Sequence, residues 1–212
     1  AGEPLEVDDI LDGLTALVDR SLVVMDAGEG EARYRLLETV RQYARERLDD
    51  ARETETLEAR HPGHYLATVE TAAPNLVGGS NSIGLVARLA RDHDNLRSAA
   101  AWAVARESTT EQALRFAGAL FWFWYALGYF REARQLTDRA LAMRGTSAPL
   151  HRGRALAASA LTALAQGEYA RSERDFLAAL PRLREGNDGH GTAAATAKMG
   201  AAILLAGETE RA

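Results

Sequence analysis

Residues 33–48 read RYRLLETVRQYARERL, and this stretch decides the fold of the first part of the chain. Tyr34 and Leu36 alternate with arginines, which predicts a short strand with one apolar face. The apolar period then lengthens to that of an amphipathic helix, with no loop between the two elements. The predicted apolar face of this helix holds Val40, Tyr43, Ala44 and Leu48.

The residues before this stretch predict a helix and the first strand of a hairpin. A helical stripe follows Asp8 or Asp9, either of which is a candidate N-cap. Leu22–Met25 is a predicted strand, and the glycine-containing segment Ala27–Glu31 is the predicted turn back to Tyr34. Helix, hairpin and helix in this order predict a winged-helix module over residues 1–58. The stripe consists of Ile10, Leu11, Leu14, Leu17 and Val18.

The string RYRLLETVRQYARERL closely resembles the segment that follows the nucleotide-binding domain in bacterial STAND-class regulators. This class includes the AfsR-like and MalT-like transcriptional activators of the LuxR type, in which a winged helix links an NTPase to a helical-repeat sensor. The resemblance implies that the chain is the regulatory half of such a protein. Its implied partners are the missing NTPase domain and an effector, and the family activates by oligomerisation.

Three residues at the strand-to-helix junction are candidates for docking on that NTPase domain: Leu37, Glu38 and Arg41. In eukaryotic relatives of the class, a Met-His-Asp triplet at this junction contacts the nucleotide. The corresponding residues here are Leu36, Leu37 and Glu38. Because leucine cannot bond a phosphate, the resemblance implies packing against the NTPase domain at this point rather than nucleotide sensing.

The composition predicts a mostly helical protein without a membrane span. The 212 residues are 47% hydrophobic and include only five prolines, and no cysteine is present for disulfides or thiolate chemistry. The net charge of -5 gives no overall attraction to polyanions. The longest apolar run, Phe116–Phe130, is shorter than the roughly 20 residues of a membrane span. We therefore expect a cytoplasmic protein.

Residues 59–110 are predicted to form a helical connector. Pro62 and Gly63 are expected to break the preceding helix, and the polar segment Gly78–Ser82 is a predicted loop. His61 and His64 lack an evident third ligand, so a surface pair is favoured over a zinc site. Around His93, helix capping by Asp92 or Asp94 and a buried polar contact are expected. The predicted helices lie around Tyr65–Ala72, Ile83–Ala90 and Asn95–Ala105.

Residues 111–212 are repetitive. Gly128, Gly167 and Gly207 are separated by 39 and 40 residues, and each precedes a similar pattern of aromatic and small residues. A glycine at a helix-to-helix turn that recurs with this period is typical of a helical solenoid. The pattern resembles tetratricopeptide repeats, lengthened by two loops. The predicted fold class is therefore mainly α: a winged-helix module with a short β-hairpin, followed by a tetratricopeptide-like α-solenoid.

Five consecutive aromatic residues, Phe121–Tyr125, surround a helix completely, so they cannot all pack against one partner helix. With Trp124 in the core between helices, Trp122 and Tyr125 are predicted to face the concave surface of the solenoid. The candidate ligand or partner site then continues along the next repeats. It consists of Trp122, Tyr125, Leu161, Leu164 and Lys198.

Several functions are disfavoured by the residues. The predicted helix Val7–Asp19 carries four aspartates, which phosphate repels, so no direct nucleic-acid contact is expected. No GxxxxGK[ST] motif is present and no motif joins a nucleophile to a base, so neither an enzyme nor a bound cofactor is expected. The favoured function is the sensor and autoregulatory arm of a STAND-class transcriptional regulator. The alternative is a stand-alone scaffold that binds a protein or peptide in its groove.

Overall fold

The computed structural model describes residues 7–26, 32–76 and 82–207. The chain divides into two compact units, Ala1–Glu58 and Ala59–Ala212. Across the described residues it forms ten α-helices and one two-stranded antiparallel sheet. No helix in these ranges is both long and apolar enough to cross a membrane.

The first unit has the predicted order of helix, hairpin and helix. It contains α1 (Val7–Asp19), β1 (Val23–Asp26), β2 (Arg33–Leu36) and α2 (Glu38–Ala51). In the antiparallel pair, Val23 lies opposite Leu36 and Asp26 lies opposite Arg33. The predicted turn Ala27–Glu31 lies outside the described residues. The predicted N-cap was wrong, because Asp8 and Asp9 lie inside the first turn of α1.

The apolar faces of the first unit are poorly covered. Val23 is its one buried hydrophobic residue within the described ranges, with 5% of its surface exposed. Tyr34 and Leu36 alternate along β2 as predicted, yet both side chains are exposed. On α2, Tyr43 is exposed with the Arg47 guanidinium 5.3 Å from its ring centroid. The other three residues of the predicted α2 face, Val40, Ala44 and Leu48, are half-buried.

The predicted break at Pro62 and Gly63 was wrong, because α3 (Thr54–Ala72) runs through both residues. The chain instead breaks at Arg52, which has a positive φ of 59°. There the N–H groups of Arg52 and Glu53 donate to carbonyls of the last turn of α2, which satisfies the helix end. Burial of the Pro62 ring on the face of α3 that also buries Leu66 and Val69 offsets its missing N–H.

The second unit consists of the rest of α3 and seven further helices. These are α4 (Ser82–Arg91), α5 (His93–Ala103), α6 (Thr110–Leu127), α7 (Phe130–Ala142), α8 (Pro149–Ala165), α9 (Tyr169–Glu185) and α10 (Gly189–Leu205), with short 3₁₀ turns at Ala73–Asn75 and Glu107–Thr109. Consecutive helices from α6 to α10 pack against each other. Of the predicted polar loop Gly78–Ser82, only Ser82 is described, and it opens α4.

The turns after α6 and α8 lie where the repeat predicted them. Gly128 and Gly167 have positive φ values of 73° and 76°, and Gly207 after α10 has 86°. The next residue after Gly128 and after Gly167 donates its N–H to a carbonyl five residues back, which closes the helix end. Glycine adopts this left-handed backbone without strain, whereas other residues do not. The comparison with a tetratricopeptide-like solenoid stays a prediction.

Two hydrophobic clusters hold the second unit together. The first runs from Leu66 to Ala155 and has Phe116, Leu120 and Phe123 fully buried at its centre. It joins α3, α4 and α5 to the first helical hairpin, α6 and α7. The second cluster lies among α8, α9 and α10 and is centred on Phe176 and Leu183. The predicted boundary at residue 110 therefore falls inside a continuous core, and the division of the second unit stays a prediction.

Candidate ligand groove

A groove with a volume of about 720 Å³ lies in the second unit. Its walls are stripes of residues on α6, α8 and α10. Glu70 near the end of α3 and Ala73 and Pro74 of the following 3₁₀ turn also line it. Phe176 and Leu183 of α9 form its floor, and both are fully buried. The stripe on α6 has the spacing of one helical face: Arg115, Gly118, Ala119 and Trp122. The corresponding faces of α8 and α10 also line the groove, because the repeat turns the same face of each of these helices toward it.

One end of the groove is apolar. Trp122 is half-buried, packs against the first core cluster and exposes part of its ring to the groove. The Phe121 and Trp122 rings meet edge to face, with centroids 4.8 Å apart. Leu161 on α8 continues this surface and also packs on the second cluster. An apolar portion of a ligand would have aromatic and aliphatic contacts here.

The other end of the groove is polar and built from ion pairs. Arg115 on α6 donates from Nε and Nη2 to the two carboxylate oxygens of Glu70 on α3, at 2.7 and 2.5 Å. Such two-point pairs fix both side chains in one orientation. These hydrogen bonds raise the pKa of Arg115, although burial acts in the opposite direction. The pair therefore provides a fixed, internally neutralised group at the groove wall.

Asp188 forms the second pair of the polar end. Its Oδ1 accepts the N–H of Gly191 at 2.9 Å and so caps α10, while its Oδ2 accepts from Nε of Arg154 on α8 at 2.8 Å. Burial alone would raise the pKa of Asp188, but these two hydrogen bonds and the positive charge of Arg154 lower it. A Cβ at Gly191 would lie 2.7 Å from Oδ2, so the glycine makes room for the cap.

Three further basic side chains line the groove: His151 on α8, and His190 and Lys198 on α10. His151 is half-buried with Nε2 3.8 Å from Glu111, and burial lowers its pKa despite that carboxylate. Lys198 is exposed and has no ion-pair partner among residues 7–26, 32–76 and 82–207. Both acidic lining residues, Glu70 and Asp188, are already paired with arginines, so within the described part of the chain no carboxylate neutralises Lys198.

The groove brings together three of the five predicted site residues, Trp122, Leu161 and Lys198. Tyr125 is 48% exposed and does not line the groove, although its ring touches that of Trp122. Leu164 is half-buried outside the lining. Whether any of the five contacts a ligand stays a prediction. Trp124 is buried in the first cluster with 2% exposure, as the repeat register requires.

Sequence reasoning missed the polar end of the groove. Arg115 and Arg154 are 39 residues apart, the same spacing as Trp122 and Leu161, so the repeat register could have located both arginines. Their acidic partners carry no such signal. Glu70 lies in α3 before the repeats begin, and Asp188 is the cap of a later helix.

The segment around His93 has a structural role. The His93 ring stacks on Tyr129 at 4.8 Å, and its Nε2 lies 3.2 Å from Oε2 of Glu132, so the predicted polar contact is present but only partly buried. The predicted capping was wrong, because Asp92 stands at the N-cap position of α5 without a side-chain cap and Asp94 lies inside the first turn. These contacts tie α5 to α7 across 39 residues of sequence.

The histidines His61 and His64 both lie against the Tyr65 ring, at 4.7 and 5.1 Å between centroids. Burial and the neighbouring His64 lower the pKa of His61. In the part of the chain that the structure describes, no cluster of three or more His, Cys, Asp or Glu side chains is placed to hold a metal ion.

The predicted docking residues lie on the surface of the first unit. Leu37, between β2 and α2, is 50% exposed. Glu38 and Arg41 are exposed and form an ion pair with each other across one turn of α2. The sequence of α1 contains four aspartates, Asp8, Asp9, Asp12 and Asp19, and no lysine or arginine.

Comparison with known proteins identifies the class of the first unit. Residues 4–49 match the family model of the winged helix-turn-helix domain, so this unit is such a domain. The match agrees with the helix, hairpin and helix seen in the structure.

More particular relatives cover a larger part of the chain. Over 132 residues, 62% of its length, the chain is 44% identical to a protein of Mycobacterium bovis and to two of Mycobacterium tuberculosis, each named "putative HTH-type transcriptional regulator". The chain spans 14% of the length of these curated relatives. No solved structure matches it. The chain is thus homologous to a short part of much longer HTH-type proteins.

Proposed function

We propose that the chain is the winged-helix and sensor region of a STAND-class transcriptional regulator. In this proposal the helical second unit binds an effector and the winged helix docks on an NTPase domain of the same protein, which oligomerises on activation in the cytoplasm. The names of the mycobacterial relatives support a role in transcription. The resemblance of residues 33–48 to STAND-class regulators supports the finer assignment.

The groove is the single observation that carries the sensor role. Its volume of about 720 Å³ falls in the range of roughly 300 to 1,000 Å³ that small-molecule sites occupy. It combines an apolar end at Trp122 with oriented polar groups at Arg115 and Arg154. Binding sites typically combine apolar contact with a few fixed polar groups. A plain scaffold surface would not need two ion pairs fixed in orientation beside an apolar end.

The docking role of the first unit is supported by its exposed apolar side chains. Leu37 is exposed and directly precedes Glu38 of the Glu38–Arg41 pair, and several apolar residues in and around α1 and the hairpin are also exposed. A protein surface fits this mixture better than DNA does, because the four aspartates of α1 would repel phosphate. The exposed apolar residues are Ile10, Leu11, Leu17, Leu22, Val24, Met25, Tyr34, Leu36 and Leu37.

We also propose that this chain neither binds nucleotide as a cofactor nor acts as an enzyme. The sequence has no GxxxxGK[ST] motif, and leucine stands at position 37, where relatives of the class carry a nucleotide-contacting histidine. The NTPase would reside in another domain of the same polypeptide. Reading a Walker motif in the flanking coding sequence would support the STAND assignment, and its absence there would contradict it.

A thermal-shift screen tests the sensor role. Small molecules are screened against the wild type, against Trp122→Ala, and against the control variant Arg139→Gln. Arg139 lies on α7 and does not line the groove. Effectors should raise the melting temperature of the wild type and of Arg139→Gln but not of Trp122→Ala. If every stabilising compound acts equally on all three proteins, the groove is not the effector site.

A mobility shift with random duplex DNA tests the docking role of the winged helix. At physiological salt no shift is expected, because α1 provides no positive charge to release counterions. The double variant Asp8→Lys and Asp12→Lys is the positive control, because it replaces two negative charges of α1 by positive ones. This variant should shift the DNA at low salt. A shift by the wild type that disappears with added salt would contradict the proposed protein-docking role.

A further inference from the structure

We propose that the groove takes a small molecule with an apolar body and one anionic group of the carboxylate class, and that Lys198 binds the anionic group. The inference rests on the proposed function, since it assumes that the groove is a ligand site. It goes further by assigning the chemistry of the ligand and the residue that selects its charge.

The charges that line the groove are distributed unevenly. Arg115 is neutralised by Glu70, and Arg154 donates from Nε to Asp188. Lys198 has no such partner in the described part of the chain. A ligand anion would therefore gain an ion pair with Lys198 without breaking an existing one. A ligand cation would find both acidic side chains of the lining already occupied.

The repeat places Lys198 in otherwise apolar surroundings. Its equivalents one and two repeats earlier, 40 and 79 residues before it, are Ala158 and Ala119, and both line the groove. One cation thus stands at a level where the other two walls carry only methyl groups. A charge–charge contact gains strength where neighbouring groups do not compete for it and water is partly displaced. This arrangement selects for one anionic group rather than several.

The remainder of the groove fits an apolar body. Trp122 and Leu161 line it at one end, and Phe176 lies beneath as part of the floor. The small side chains Ala157 and Ala194 leave room for such a body between α8 and α10. Since Cβ of a residue at Gly118 would lie 3.1 Å from Cβ of Arg154, the close approach of α6 and α8 keeps the groove narrow. A compact small molecule fits such a space better than a folded partner.

Calorimetry with three probes of equal tail length tests the charge preference: octanoate, octanol and octylamine. An acidic amphipathic helical peptide is the fourth probe. We expect octanoate to bind about fivefold more tightly than octanol, which is the modest gain of one partly exposed ion pair, and octylamine to bind most weakly. Equal affinities for all three small probes, or tighter binding of octylamine, would overturn the proposal. The proposal would also be overturned if the peptide bound tightly and octanoate did not bind, because the groove would then be a site for a macromolecule.

Variants separate this inference from the proposed function. In Lys198→Gln the preference for octanoate over octanol should disappear while octanol still binds. Arg139→Gln removes an equal charge outside the groove and should leave the preference unchanged. Trp122→Ala should weaken all three small probes. If Lys198→Gln keeps the preference, the role of Lys198 is wrong but the groove remains a site. If no probe binds at all, the anionic-amphiphile assignment is wrong, and the effector screen decides on the groove independently.

Discussion

The two units of the chain bury their apolar residues to very different extents. In the second unit Phe116, Phe123 and Phe176 are completely inaccessible to solvent, each in a cluster formed by several helices. In the described part of the first unit only Val23 is a buried hydrophobic residue. Leucine, valine and isoleucine make up a larger share of the first unit, 15 of 58 residues, than of the second, 25 of 154, so the supply of these residues does not explain the difference.

The difference follows from how each unit covers its helices. From α6 onward, every helix of the second unit packs against its neighbours in the chain, and the recurring glycines hold the turns. The first unit has a two-stranded hairpin and short helices, and a unit of this size buries a small fraction of its surface. The second unit is therefore held together by its own core, whereas the first unit leaves most of its described apolar side chains exposed.

The largest effect is expected within the aromatic run of α6. Trp124→Ala should destabilise the second unit by about 3 to 5 kcal/mol, because a buried aromatic leaves a large cavity. Tyr125→Ala, one position further, should cost under about 1 kcal/mol since the ring is half exposed. Urea unfolding followed by far-UV circular dichroism measures both.

All three tryptophans lie in the second unit, so fluorescence of the Tyr125 variant reports on that unit alone. If Tyr125→Ala proves as destabilising as Trp124→Ala, the repeat register that assigns one ring to the core and the other to the surface is wrong.

The turn glycines give the next largest effect. Gly128→Val and Gly167→Val should each destabilise by roughly 1 to 3 kcal/mol, because valine is strained at positive φ. No atom lies within 4 Å of a Cβ added at either position, so a loss of stability would report on the backbone alone. Melting temperature and urea midpoint are the measurements.

Gly63 provides the matched control, since it lies inside α3 and also has free space around an added Cβ. Gly63→Ala should stabilise by about 0.5 to 1 kcal/mol, because alanine has the higher helix propensity. The two types of glycine should thus change stability in opposite directions. A gain in stability for Gly128→Val would contradict the assigned turn.

The sequence predicted the elements that depend on local periodicity. The hairpin and α2 follow from the change of period in residues 33–48, and the turn glycines follow from their regular spacing. The end of α2 was not predictable in this way, because the left-handed residue there is Arg52 rather than a glycine. Pro62 and Gly63 looked like a break, yet the buried proline ring packs on the inner face of α3.

The groove was predicted only in part, for a related reason. Trp122, Leu161 and Lys198 follow from the register of the repeat, which is a property of the sequence. The ion pairs Arg115–Glu70 and Arg154–Asp188 join residues 45 and 34 positions apart with no periodicity between the partners. Tertiary packing alone brings such pairs together, so the pattern of a single sequence could not reveal them.

A smaller effect concerns the pH dependence of the second unit. Burial lowers the pKa of His151 from its ordinary value of 6.5, so the unfolded chain binds a proton more readily than the folded one. The free energy of unfolding should therefore decrease as the pH falls from about 6.5 toward the lowered pKa of the folded state. His151→Gln should flatten this decrease, as measured by urea unfolding between about pH 7.5 and about pH 5.5.

His61→Gln serves as the comparison, because burial and His64 also lower the pKa of His61. Each single variant should remove part of the slope, and the double variant should remove more than either. An unchanged slope in His151→Gln would show that the folded state does not hold this histidine neutral.

The smallest effect is expected on the exposed face of the first unit. Leu11 on α1 and Leu37 before α2 are both at least half exposed, so Leu11→Gln and Leu37→Gln should change stability by no more than about 0.5 kcal/mol. Glutamine keeps most of the helix propensity of leucine, so Leu11→Gln mainly replaces an exposed apolar side chain of α1 by a polar one. Val23→Ala, the buried counterpart in the same unit, should cost about 1.5 kcal/mol. Hydrogen exchange of peptides from residues 7–26 and 32–51 measures all three variants without interference from the second unit. If the leucine variants speed exchange as much as Val23→Ala does, these side chains belong to a core, and the contrast between the two units is smaller than the structure indicates.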